Sequence, residues 1–175
     1  FHGFDQYNFP LEGIACRVVI PKKIADGKPW VWRARFPTYH TEIDEMLLKD
    51  GYYIAHINTG SRLGSIHALK IWEQFYDLLT QKHGLNQKVV LEGVSRGGLY
   101  VYRWAKNHPG TVACIYNDTP VCDFKSWPGG KGQGKGAQGE WKRLLKEYGF
   151  KNDAEAMAYQ DNPIERHPLK ALQHM

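Results

Sequence analysis

Apolar and polar positions change period several times along the chain, and each change marks an element. Residues 14–20 (Ile-Ala-Cys-Arg-Val-Val-Ile) are a β-branched run closed by Pro21 and predict a strand. Residues 30–36 set Trp30 and Trp32 against Arg33 and Arg35 and predict a second strand. Thr41 opens a helix that carries Ile43, Met46, Leu47 and Leu48 and stops at Gly51. Residues 52–57 return to strand character, and 58–65 form a polar loop. Ile66, Leu69, Trp72, Phe75, Tyr76 and Leu79 then keep helical spacing as far as Gly84. An apolar strand over 88–94, a helix over 99–106 and a strand over 111–116 complete the series.

Strands alternating with helices predict an α/β fold, a mostly parallel sheet with helices on both faces and right-handed crossovers. The run at 88–94 is continuous rather than alternating, so it belongs near the sheet centre, buried on both faces. After residue 116 the composition changes. Residues 128–139 read as a glycine-rich loop, and 140–172 as a helical insertion with helices at 141–148 and 154–159. The whole, 1–175, reads as a single domain.

The candidate chemistry sits where the 88–94 strand meets its helix. Gly93-Val94-Ser95-Arg96-Gly97 fits G-x-S-x-G in a strand–turn–helix context. Such a turn leaves no room for a Cβ at Gly93 and Gly97, and it presents the Ser95 hydroxyl beside free helix N–H groups. Ser95 is therefore the candidate nucleophile. A neutral hydroxyl needs a base, normally a histidine held by a carboxylate, together with donors for the oxyanion.

With these residues the chain resembles the α/β-hydrolase superfamily. The stretches 29–36, 91–99 and 120–130 resemble a bacterial hydrolase group found with polysaccharide-degrading genes. In glucuronoyl-type carbohydrate esterases, whose elbow is similar, the arginine after the serine helps to bind the oxyanion. The resemblance therefore implies that role for Arg96. The superfamily's architecture places one backbone donor at Arg96 N–H and a second in the turn after the 30–36 strand. Pro37 has no N–H, so Phe36 is the candidate. Asn58, Asp118 and Trp127 are candidate substrate contacts.

The triad order implied by the resemblance is serine, acid, histidine. Asp118 stands at an acid position used by some hydrolases, but only His167 and His174 follow it, and neither comes after a strand. The expectation is a chain cut short of its triad acid and base, with no imidazole at Ser95. The 111–116 strand would then be an open sheet edge prone to self-association. The implied function is a serine esterase acting on an acyl or carbohydrate ester. The alternative is a catalytically incomplete module that binds carbohydrate through Trp30, Trp32 and Trp127.

Composition narrows this picture. A chain of 175 residues with 42% hydrophobic residues supports a real core. The net charge of +5 comes from scattered lysines and arginines, so no nucleic-acid partner is expected. No apolar run approaches a membrane span, and no membrane partner is expected. Cys16, Cys114 and Cys122 have no metal or redox spacing; Cys16 and Cys114 read as small buried hydrophobes. No metal and no organic cofactor is expected, since serine ester cleavage needs neither. A start at Phe1 fits removal of a signal peptide, hence a periplasmic or secreted protein.

Overall fold

The computed structural model describes residues 1–162. Its strands are β1 (Asp5–Leu11), β2 (Ile14–Ile20), β3 (Trp30–Arg33), β4 (Tyr53–Ile57), β5 (Val89–Val94) and β6 (Val112–Asp118). The helices are α1 (Glu42–Lys49), α2 (Ile66–Asp77), α3 (Gly98–Asn107), α4 (Gln138–Tyr148) and α5 (Asp153–Ala158). One sheet takes the strands in the order β1-β2-β4-β3-β5-β6. β4, β3, β5 and β6 run parallel, so the α/β expectation holds there, and β5 lies inside the sheet between β3 and β6.

The first strand departs from expectation. β2 is antiparallel to β4 and pairs with β1, a strand the periodicity does not announce. The reason is local. Glu12 (φ 48°) and Gly13 (φ 80°) form a two-residue turn with both residues left-handed, and such a turn joins antiparallel strands only. β1 itself contains Asn8 and Pro10, and it is mostly exposed at the sheet edge, where proline is tolerated.

The strand expected over 30–36 ends at Arg33. Ala34 N–H still bonds Glu92 O at 2.9 Å, but Phe36 adopts φ 53° and turns the chain out of the sheet. α4 begins at Gln138, inside the expected 128–139 loop, and α5 follows. The rest of the expected 140–172 insertion, from 163 on, lies outside the described residues. Cys16 is buried, but Cys114 is exposed. The difference lies in the neighbours, since among the described residues β6 pairs on one side only, with β5.

Two cores of unequal size flank the sheet. Strand alternation puts Trp30 and Trp32 on one face and Val31 on the other. On the tryptophan face Trp32 stacks on Trp72 of α2 at 4.1 Å and meets Trp104 of α3 edge-on at 4.9 Å. On the other face α1 covers a small cluster of Phe4, Val19, Val31, Leu48 and Ile54. The same alternation sends Arg33 to that smaller face, where it is 0% exposed. The register sets Arg33 opposite Glu92 and Arg17 opposite His56, so a row of buried polar side chains crosses the sheet.

Candidate active site

Ser95 sits at the turn between β5 and α3 with φ 51°, left-handed backbone that a non-glycine residue adopts only under constraint. Two glycines make the turn possible. A Cβ at Gly93 would stand 2.3 Å from Asn117 Oδ1 and 2.8 Å from Val101 Cγ2. One at Gly98 would stand 2.6 Å from Val121 O. The close approaches are thus at Gly93 and Gly98. At Gly97, expected to need the space, an added Cβ would meet Ala34 Cβ at an ordinary 3.4 Å. Val121 N–H bonds Ser95 O at 2.8 Å and ties the loop after β6 to the elbow.

Arg96 follows in the first turn, where a helix start leaves backbone N–H groups without intrahelical partners. Its guanidinium pairs with Glu140 of α4 at 3.2 Å. It also lies 5.5 Å from the centre of the Phe36 ring and 6.0 Å from that of Trp127. The structure therefore brings Ser95, Arg96, Phe36 and Trp127 into one neighbourhood. Glu140 joins them from a helix 44 residues downstream of Arg96, a pairing no local pattern announces.

The remaining candidates line two separate cavities that none of these four residues line. Asp118, at the end of β6, lines a cavity of about 220 Å³ with His40, Glu42, Ile43, Glu92, Val94 and Tyr116. Asn58 follows β4; its Oδ1 accepts from Gly60 N–H at 3.1 Å, and it lines a wider groove with Arg17, Pro37 and His56. Among the described residues no side chain hydrogen-bonds the Ser95 hydroxyl, and each of several imidazoles faces another partner. His2 meets Thr41, His40 faces Glu42, His56 binds Arg33 O, His67 meets Arg62 and His108 meets Glu73. His167 and His174 lie outside the described residues. No group of three or more His, Cys, Asp or Glu among the described residues is placed to hold a metal ion.

The periodicity of the sequence does not single out the buried charges beneath the site. Arg33 Nη1 bonds Asp44 Oδ2 of α1 at 2.6 Å and Glu92 Oε1 of β5 at 2.8 Å, all three essentially inaccessible to water. The available signal was an acid in the apolar run Val89-Val90-Leu91-Glu92 and a base in each of two other strands. A charge in a buried strand demands an opposite charge.

Burial pushes Glu92 up to about 8, and the neighbouring Asp44 carboxylate adds to the rise while Arg33 opposes it. Burial pulls His56 down to about 4, against its hydrogen bond to Arg33 O and helped by the arginines around it. His56 is therefore neutral at pH 7, with Nδ1–H donated to Arg33 O at 2.9 Å.

These shifts predict a pH dependence of stability. The unfolded chain loses the Glu92 proton near 4.5 and the folded protein near 8, so stability falls as pH rises between the two. His56 acts in the opposite sense between 6.5 and about 4, since the unfolded chain protonates first as pH falls. The two oppose one another below 6.5, and above it only Glu92 acts. Urea unfolding at pH 6.5 and pH 8 should show a loss on the order of 1 kcal/mol in the wild type that is absent in Glu92→Gln. Equal pH dependence in the two proteins would exclude Glu92 as its source.

No family model matches the sequence, and no curated protein matches it. Solved structures do match. The Pyrococcus furiosus esterase Pf2001 superposes with a TM-score of 0.55 at 15% identity over 86% of this chain. The fluorophosphonate-binding serine hydrolase FphF of Staphylococcus aureus gives 0.56 at 14% identity over 71%. The chain has the α/β-hydrolase fold. The acetyl xylan esterase of Aspergillus awamori, with a TM-score of 0.50 at 12% identity over 63% of the chain, has the same architecture. The chain spans 65%, 59% and 50% of the length of these three proteins in turn. Ser95 stands in the sharp turn between β5 and α3, and Phe36 in the loop after β3.

Proposed function

We propose that this chain carries the nucleophile and oxyanion donors of a serine hydrolase of the esterase type. The observation that carries the reading is Ser95 itself, held in a left-handed turn at the end of β5 with no side-chain partner among the described residues. Its Oγ attacks the acyl carbon of an ester. The Arg96 and Phe36 N–H groups bind the oxyanion of the tetrahedral intermediate, which collapses to an acyl-enzyme and releases the alcohol. Water then hydrolyses the acyl-enzyme. The base that takes the Ser95 proton is none of His2, His40, His56, His67 and His108, each of which faces another partner. The Arg96 guanidinium adds positive charge near the oxyanion. Glu140, Phe36 and Trp127 hold it in place.

A carbohydrate alcohol is the favoured leaving group. Trp127 offers a half-buried indole beside Arg96 for stacking on a sugar ring. Likeness to an acetyl xylan esterase supports the same substrate class. Asn58, after β4, and Asp118, at the end of β6, are the further contacts of this reading.

The test is covalent. A fluorophosphonate probe should modify Ser95 in the wild type, located by peptide mass spectrometry, and leave Ser95→Ala unmodified. An unlabelled wild type that still binds xylo-oligosaccharides saturably would replace the esterase with a binding module. Equal labelling of both proteins would place the nucleophile elsewhere.

A further inference from the structure

The loop between β3 and α1 makes few bonds of its own, yet four of its carbonyls are held from below by two buried arginines. Arg33 donates from Nε to Phe36 O at 3.0 Å, from Nη2 to Tyr39 O, and from both Nη atoms to His40 O at 3.4 Å. Arg17 donates from Nη2 to Pro37 O at 2.5 Å. Arg33 is 0% and Arg17 9% exposed, so these donors work where water competes little. The peptide group is planar and trans, with C=O and N–H on opposite sides. Drawing these carbonyls toward the sheet therefore orients the N–H groups of Thr38, His40 and Thr41, while Phe36, whose own N–H lies in the preceding peptide, is held in place by its carbonyl.

The other end of Arg33 is anchored to the nucleophile's own strand. Glu92, which receives Nη1 at 2.8 Å, stands three residues before Ser95 in β5. Asp44 holds the same nitrogen at 2.6 Å from α1, the helix that follows the loop. A single rigid guanidinium thus joins the strand that carries the nucleophile, the loop that carries the oxyanion donor and the helix after it. A planar fork with fixed donor directions can do this; a lysine ammonium, a point charge on a flexible stem, cannot.

We propose that Arg33, seconded by Arg17, is a positioning residue of the active site: it sets the 36–40 loop at a fixed distance from Ser95 so that Phe36 N–H meets the oxyanion. This rests on the serine-hydrolase reading. It goes beyond that reading by assigning the register between nucleophile and oxyanion donor to residues that touch neither substrate nor Ser95. Reaction geometry is steep in distance, and a displacement of about 1 Å can cost on the order of 100-fold in rate.

The experiment measures fluorophosphonate inactivation as a maximal rate constant and a half-saturating concentration in wild type, Arg33→Lys, Arg17→Met and Val31→Ala, with urea midpoints for each. Arg33→Lys keeps a cation for Asp44 and Glu92 but loses the fork. Arg17→Met removes the Pro37 bond and leaves the Arg33 cluster intact. Val31→Ala weakens the same face of the sheet without touching the loop. The first two should lower the maximal rate constant about 10- to 100-fold with little change in half-saturation. Val31→Ala should label at the wild-type rate. Wild-type rates in folded Arg33→Lys or Arg17→Met, or equal slowing in Val31→Ala, would overturn the positioning role and leave a purely structural cluster. If Arg33→Lys fails to fold, Arg17→Met against Val31→Ala decides. A wild type that does not label at Ser95 overturns the hydrolase reading itself, and the positioning role falls with it.

Discussion

Replacing Arg33 by methionine should destabilise the protein by about 3–5 kcal/mol, read as a fall in the urea midpoint at pH 7. The side chain is roughly volume-matched, so packing changes little and the loss is electrostatic. Arg33 is the only cation within hydrogen-bonding distance of the Asp44 and Glu92 carboxylates among the described residues. Without it, the two carboxyl groups that now lie 2.6 and 2.8 Å from Arg33 Nη1 face an apolar thioether, in a site water barely reaches. The partner then left to the Asp44 carboxylate is the Glu92 carboxyl, which burial keeps mostly protonated at pH 7. The double variant Asp44→Asn/Arg33→Met should recover part of the loss, because removing both charges of a buried pair costs less than removing one. A single variant no less stable than wild type would show that the cluster is hydrated.

Trp32→Ala should have a comparable effect from the opposite face, about 3–5 kcal/mol, together with a collapse of near-UV circular dichroism. Trp32 is fully buried and packs against Trp30, Trp72, Phe75, Tyr76 and Trp104. Removing it opens a cavity that flat, rigid neighbours fill poorly. Its indole Nε1 has no hydrogen-bond partner in the structure, so Trp32→Phe removes an unsatisfied donor as well as volume and should cost much less. If Trp32→Ala and Trp32→Phe were equally destabilised, the packing argument would fail.

The parts of this fold legible in the sequence were those in which local pattern and tertiary role agree. The 88–94 run, the glycines around Ser95 and the helix after them all point to one strand–turn–helix, and the structure has it. β1 was hidden because an edge strand is half solvated: Asn8 and Pro10 suppress the signal that a buried strand would give. Cys114 looked buried because its neighbours are apolar, but exposure is decided by how many strands flank β6, which sequence spacing does not carry. The periodicity shows Arg33 only as one of two alternating charges beside tryptophans. Alternation was right about the face and silent about what covers it: α1 brings Asp44 to that face from eleven residues on, and β5 brings Glu92 from 59 residues on. The pairing of Arg96 with Glu140 is illegible for the same reason.

The two faces of the sheet are joined to their helices by unlike forces, and this sets an order of failure. α2 and α3 adhere through a continuous aromatic mass, whereas α1 adheres through five apolar side chains and a knot of charges. Proteins open in cooperative pieces, with the least cohesive layer first. Here that layer is the one next to the 36–40 loop, so a partial opening that leaves the tryptophans packed would already release Phe36. Under mild heat or alkali the 36–40 loop would come loose while most of the molecule still counted as native.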